Sequence, residues 1–350
     1  MKKQNLIGQT ITQMEKLMTD MGERSYRGRQ LFTWLYSVRQ YDFDLMTDLS
    51  KECRKRLAEK YEFTVPSVAH EDVSTDGTRK FLFDLNDGEQ IETVLIPDPE
   101  ADRCTVCVSS QVGCALGCRF CATATLGFTR NLSVGEILGQ LIRLRDKFGE
   151  DAFTNVVFMG MGEPMMNLDN VLAAVGILSA DAGMSHAAKK VTISTAGVIP
   201  AIRKLADSGS KARLAVSLNA ATQEKRVQIM PVSRKYPLDE LMKTLEYYTT
   251  KTGARVTFEY ALFAGFNDTK EDIKAISRVV RGIPCKINLL AYNRVNNLPF
   301  ERPSDEKLDW FARQLYPKVP AVTVRRSRGD DIAAACGQLA GRAKKAGESR

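Results

Sequence analysis

Histidine is almost missing from this chain: only His70 and His186 occur among 350 residues. Imidazole is the commonest acid–base group near neutral pH, so histidine-led proton transfer and histidine-rich metal sites are excluded, leaving Cys and Glu as candidates. No apolar run approaches the roughly 18 residues a membrane-crossing helix needs, and no membrane partner is expected. No apolar signal region follows Lys2 and Lys3, so a cytoplasmic location is expected. No internal repeat is evident, which argues against a stacked-repeat architecture.

What is present is ordinary in bulk and unusual in detail. Hydrophobic residues make up 44% and charged residues 26%, as in a globular protein long enough for one large domain and a small one. The net charge of +8 suits a polyanionic partner, although charge alone leaves nucleic acid an open question. Eight cysteines in a reducing compartment point to metal or redox chemistry rather than to disulfide staples.

Three of these cysteines crowd into Gly113-Cys-Ala-Leu-Gly-Cys-Arg-Phe-Cys-Ala122. Structural zinc normally takes four ligands with none free. A [4Fe-4S] cluster held by only Cys114, Cys118 and Cys121 keeps one iron open for a small molecule. Gly113 and Gly117 permit a tight loop around it. The spacing resembles that of radical S-adenosylmethionine (SAM) enzymes, whose open iron binds the amino and carboxylate groups of SAM. The alternatives are a zinc loop or three incidental core thiols.

Residues 1 to about 62 read as helical, with a second helix over 29–38 and a third over 50–61, each with apolar residues three to four apart. Arg24, Arg27, Arg29 and Arg39 are interleaved with Tyr26 and Tyr36, a pattern suited to phosphate contact and base stacking or to a solvated basic face. Period-two alternation over 80–85 and 90–96, around Asn86-Asp-Gly88, predicts a hairpin. Strands are then predicted at 104–110, 154–159, 190–195, 213–218, 255–262, 286–291 and 321–326, with helices between them and a last helix from about Asp330. Ser133-Val-Gly-Glu136 reads as a capping box. The expected fold is α/β: an open, partial β/α barrel over 104–340, a small helical RNA-binding domain over 1–65, a β-hairpin linker over 66–103 and a basic tail over 341–350.

Polar groups at predicted strand ends gather where parallel α/β folds place their sites. Gly162 and Glu163 of Met159-Gly-Met-Gly-Glu163, Ser194, Ser217-Leu218-Asn219 and Asn293 are the SAM-binding candidates, with Glu163 as acceptor for the ammonium. Phe120 either shields the metal and packs on adenine or fills core. Cys104 and Cys107, three apart on a strand, face opposite ways and make a poor chelating pair. Cys53, Cys104 and Cys285 read as core or incidental.

Nearly the whole chain resembles the dual-specificity 23S rRNA and tRNA adenosine C2-methyltransferases of the radical SAM superfamily. The resemblance is carried by Ser109-Ser-Gln-Val-Gly-Cys114, Met159–Pro164, Arg234-Lys-Tyr-Pro237 and the Arg-Gly-Asp-Asp…Ala-Cys-Gly ending around Cys336. It implies that one SAM methylates Cys336. A second SAM, cleaved to a 5′-deoxyadenosyl radical, takes hydrogen from that methyl, and the methylene radical adds to electron-poor carbon 2 of adenine. Glu92 is implied as the proton acceptor, and Cys107 as the resolving thiol that releases product and leaves a transient disulfide with Cys336. The implied targets are an adenosine of the peptidyl-transferase centre and the adenosine 3′ of the tRNA anticodon. A flavodoxin- or ferredoxin-type electron donor and a monomeric state are expected as well. Asn219 stands where the family commonly has histidine, and Val232-Ser233 where it has isoleucine–asparagine. The rival readings are a C8-methyltransferase of the same rRNA adenosine and a non-catalytic zinc or RNA-binding protein.

Overall fold

The computed structural model describes residues 3–341; the expected basic tail lies, beyond Gly341, outside them. The N-terminal module begins with β1 (Gln4–Asn5), then α1 (Ile11–Asp20), α2 (Tyr26–Thr33) and α3 (Lys51–Lys60), and closes on β2 (Tyr61–Glu62), which pairs in parallel with β1. Thr10 and Gln13 form a capping box at the start of α1, which excludes Leu6 and Ile7 from the predicted helix. Both residues are instead buried in the core ahead of it. The second predicted helix starts earlier, at Tyr26, and its last turn widens into a π-helix at Trp34–Val38 that ends on the left-handed Arg39. Methionines 14 and 18 and residues Leu31, Phe32, Leu35 and Tyr36 join the same hydrophobic core as the rest of the chain.

One ten-stranded sheet organises the remainder. It contains β3 (Ser67–Val73), β4 (Arg79–Asp84), β5 (Gln90–Asp98), β6 (Arg103–Cys107), β9 (Asn155–Phe158), β10 (Val191–Thr195), β11 (Arg213–Ser217), β12 (Val256–Leu262), β13 (Cys285–Ala291) and β14 (Val322–Arg325). A separate ribbon, β7 (Gln111–Gly113) with β8 (Phe128–Asn131), flanks the cysteine run. The predicted hairpin is β4–β5, and it does more than connect: β5 pairs antiparallel with β6, Val94 opposite Cys107, so both strands extend the sheet. Strand β3 had no period-two signal because it is an edge with both faces largely exposed.

From β6 to β14 the strands are parallel and follow chain order without a reversal. The helices between them are α4 (Ala122–Thr125), α5 (Val134–Phe148), α6 (Leu168–Ser179), α7 (Ile199–Asp207), α8 (Gln223–Ile229), α9 (Leu238–Thr252), α10 (Lys270–Val279) and α11 (Asp305–Leu315). Right-handed crossovers in an unreversed order put these helices on one face. The strand ends on the other face are left to line an interior, as in a barrel that does not close. The capping box of Ser133 and Glu136 opens α5 as predicted. The last predicted helix is absent: only a single 3₁₀ turn forms at Asp330–Ile332, because Gly329, Ala333 and Gly337 adopt left-handed φ angles of 68°, 51° and 87°. No described helix is long and apolar enough to cross a membrane.

Candidate active site

A cavity of about 1030 Å³, measured with its open mouth, lies at the carboxyl ends of the parallel strands. Cys114, Cys118 and Cys121 line it, as do Gly162, Glu163, Ser194, Ser217, Asn219, Asn293 and Cys336. Sequence reasoning named all ten. Glu92, Cys107 and Leu218 do not line it. Leu218 is fully buried and engages through its backbone: its N–H donates to Glu259 O at 2.9 Å and its carbonyl accepts from Arg226 Nε at 3.3 Å.

The cysteine run is shaped by local geometry. Gly113 has φ +70°, and a Cβ there would lie 1.9 Å from the Gly127 carbonyl oxygen, so only glycine fits where β7 meets β8. Cys114 N–H donates to that same carbonyl at 2.7 Å. Burial pushes the Cys114 thiol up to about 12 and Cys118 well above its ordinary range, and each thiolate would repel its neighbours. A four-iron cluster held by three thiolates keeps one iron free for a small molecule, and these three cysteines line one cavity with room for one, so the donor set fits a cluster of that type.

Glu163 closes the opposite wall. Its Oε2 accepts from Ala196 N–H at 2.8 Å and Oε1 from Met165 N–H at 3.0 Å, while its own N–H donates to Gln111 Oε1 at 2.8 Å. Burial raises it to about 7, against the pull of those amides, so an approaching ammonium would favour the carboxylate. Gly162 has φ +97°, and a Cβ there would meet Gln111 Cβ at 2.5 Å; the motif needs glycine for this close approach. Asn219 tolerates its left-handed φ of 51° and accepts from Ala261 N–H at 3.0 Å, leaving its amide beside Met230 Sδ. Phe120 lines the cavity and packs on Phe263 at 5.3 Å.

Cys336 is exposed on an irregular segment held over the cavity. Asn293 Nδ2 donates to the Cys336 carbonyl at 3.1 Å, and Ala122 N–H to the Gly337 carbonyl at 2.7 Å. Cys107 is buried at the end of β6; burial pushes it up to about 12, the Cys336 thiol adds to that, and Arg325 opposes it. The two thiols thus lie within each other's electrostatic reach. Cys104 is half-buried and faces away from Cys107 as expected. Glu92 is buried, and its Oε2 accepts from Ala340 N–H at 2.9 Å and Gly341 N–H at 3.0 Å, with Lys80 Nζ 3.6 Å from Oε1. It therefore contacts the end of the segment that carries Cys336.

Several lining residues escaped the sequence reading. Thr195 and Ala196 follow a predicted strand end and were within its reach. Glu259 and Arg325, paired at 3.6 Å, Met230 and Tyr292 gave no local signal, since their pattern is that of ordinary strand and loop residues.

An open parallel α/β sheet with a three-cysteine loop and a glycine–glutamate wall at its strand ends defines a radical SAM enzyme. Residues 108–278 match the Radical SAM superfamily, and residues 4–63 match the Ribosomal RNA large subunit methyltransferase N-terminal domain. The chain is 47% identical over 348 residues to the probable dual-specificity RNA methyltransferase RlmN of Chlorobium phaeovibrioides, covering 96% of this chain and 93% of that protein. A crystal structure of a radical SAM methyltransferase from Sphaerobacter thermophilus superposes with a TM-score of 0.89 at 42% identity, over 96% of this chain and 99% of that one. The chain belongs to the RlmN family of radical SAM RNA methyltransferases. Membership in the superfamily brings with it SAM and a [4Fe-4S] cluster.

Proposed function

We propose that this enzyme methylates carbon 2 of an adenosine in the peptidyl-transferase centre of 23S rRNA and of the adenosine 3′ of the tRNA anticodon, using two SAM molecules per turnover. The observation that carries the reading is the placement of Cys336 on the same cavity as the three cluster cysteines and Glu163. Cys114, Cys118 and Cys121 would hold the cluster. Gly162, Glu163, Ser194, Ser217, Asn219 and Asn293 would hold SAM, with Leu218 buried behind them. When bound and reduced, the cluster supplies the electron that cleaves the SAM sulfonium.

The remaining work falls to the chain's own groups. Cys336 carries the one-carbon unit on its sulfur, at the rim of the cavity where the extruded base can reach it. Glu92 takes the carbon 2 proton, which requires its carboxylate to exchange the Ala340 and Gly341 amides for the base. Cys107, as thiolate, attacks the Cys336 sulfur: an S–S bond forms, the sulfur–carbon bond breaks, and its electron pair leaves with the base, whose methylene takes up a proton to become methyl. The unpaired electron left by radical addition passes to the electron-transfer protein. A thiol reductant restores both cysteines. The target adenosine enters extruded from its stack. A flavodoxin- or ferredoxin-type protein delivers the electron, and the enzyme works beside ribosomes in the cytoplasm.

Anaerobic reconstitution followed by mass spectrometry of nucleosides from treated rRNA and tRNA tests the proposal. The expected product is 2-methyladenosine from both RNAs, formed by brown protein containing iron and sulfide. An 8-methyl product would replace the regiochemistry, and protein without iron or sulfide would overturn the reading.

A further inference from the structure

Arg226, on α8, is fully buried and heads the fully buried side chains by volume. Burying a guanidinium is normally tolerated only opposite a carboxylate, because the lost hydration must be replaced. Here neutral acceptors replace it: Nη1 donates to Ser233 Oγ at 2.6 Å, Nη2 to Ala196 O at 2.6 Å and Ser217 O at 3.1 Å, and Nε to Leu218 O at 3.3 Å. Those acceptors take four of its five N–H protons and leave its charge unbalanced. Burial draws it down to about 10, with Cys118 pulling the other way, so it is cationic at neutral pH.

The surroundings place α8 beside the cysteine loop. Arg119 N–H, inside the cysteine run, donates to Ile229 O at 2.9 Å, and Met230 N–H donates to Arg226 O at 2.8 Å. Pro231 lies 3.9 Å from where a Gly117 Cβ would stand. The end of α8 is thus clasped to the cysteine loop, while its arginine grips the ends of β10 and β11 that line the cavity.

We infer that Arg226 is a positioning residue that ties the SAM-binding strand ends to the cluster loop and supplies the uncompensated positive charge favouring the reduced form of the cluster. The inference rests on the reading that Cys114, Cys118 and Cys121 hold a cluster. Taking up one electron makes that centre more negative without a proton, so a nearby fixed cation stabilises the reduced state more than the oxidised one.

Wild type, Arg226→Lys and Arg226→Gln are purified and reconstituted without oxygen, iron and sulfide are assayed, and the cluster midpoint is read by EPR during dithionite titration. SAM affinity is measured by calorimetry. Arg226→Gln is expected to move the midpoint negative by at least about 59 mV, a tenfold loss in the one-electron equilibrium. Arg226→Lys keeps the charge and the midpoint but loses SAM affinity at least tenfold, because an ammonium cannot reproduce the guanidinium's fork of contacts. An unchanged midpoint in Arg226→Gln, or an equal shift in Arg226→Lys, would overturn the inference. If Arg226→Gln takes up no cluster, Arg226→Lys decides by whether its midpoint holds. Wild-type protein lacking iron would instead defeat the cluster reading itself.

Discussion

Replacing Glu92 by Gln and by Ala separates the proposed base from the hydrogen-bonded latch on the Cys336 segment. Oε2 accepts the Ala340 and Gly341 amides at 2.9 and 3.0 Å, and Lys80 Nζ stands 3.6 Å from Oε1, in a site where Glu92 is only 6% exposed. Hydrogen bonds to a charged group contribute about 1.5–3 kcal/mol each. Water replaces part of that when the half-buried Ala340 and Gly341 amides are released, so about 2 kcal/mol is a reasonable net loss for Glu92→Ala, or roughly 30-fold in the opening equilibrium. Hydrogen exchange of peptides spanning 334–341 should therefore quicken about 30-fold in Glu92→Ala. Glu92→Gln retains an acceptor oxygen and should exchange close to wild type. Methylation, followed by transfer of labelled methyl to RNA, should fall about 10²–10⁴-fold in both variants, the range of a lost general base. Undiminished methylation by Glu92→Gln would refute the base, and unchanged exchange in Glu92→Ala would refute the latch.

Cys336→Ala should load iron normally yet transfer no methyl to RNA; continued turnover would remove it as the carrier. Cys107→Ala should leave RNA covalently attached to the protein, visible as a shifted band on a denaturing gel, and free methylated RNA alone would remove its resolving role. His186 is buried against Phe153 and beside Arg145 and Lys190; burial first, then those charges, lowers it from 6.5 to about 4. A base depressed in the folded state stabilises above its unfolded value and loses that contribution as pH falls. Wild type should therefore lose up to roughly 3 kcal/mol between those values, and His186→Gln less. Urea midpoints that drop equally in the two proteins would contradict this. Gly162→Ala, at φ +97° and 2.5 Å from Gln111 Cβ, should cost about 2 kcal/mol in urea unfolding and weaken SAM binding; wild-type values for both would deny the close approach.

Much of the chemistry was legible in the chain because it is written in short spacings. Cys114, Cys118 and Cys121 lie within one loop, so their joint function needs no knowledge of distant contacts. Gly162 and Glu163, Ser194, Ser217, Asn219 and Asn293 follow predicted strands, and a parallel sheet brings strand ends together whatever its exact curvature. The strand series was equally readable, since each core strand is a short apolar run between helices. Where local signals were weak, boundaries moved: the edge strand β3 has no buried face, and the final predicted helix gave way to left-handed residues.

What the sequence determined by itself is the set of candidate groups and the order of elements that carry them. Only the tertiary structure decided how those groups face one another. It placed Glu92 against the Ala340 and Gly341 amides, set Cys107 within electrostatic reach of Cys336, and buried Arg226 without a carboxylate. The reason is physical. Spacing along a strand or loop sets local geometry within a few residues, whereas desolvation and charge pairing depend on atoms hundreds of residues apart that meet only when the sheet is assembled.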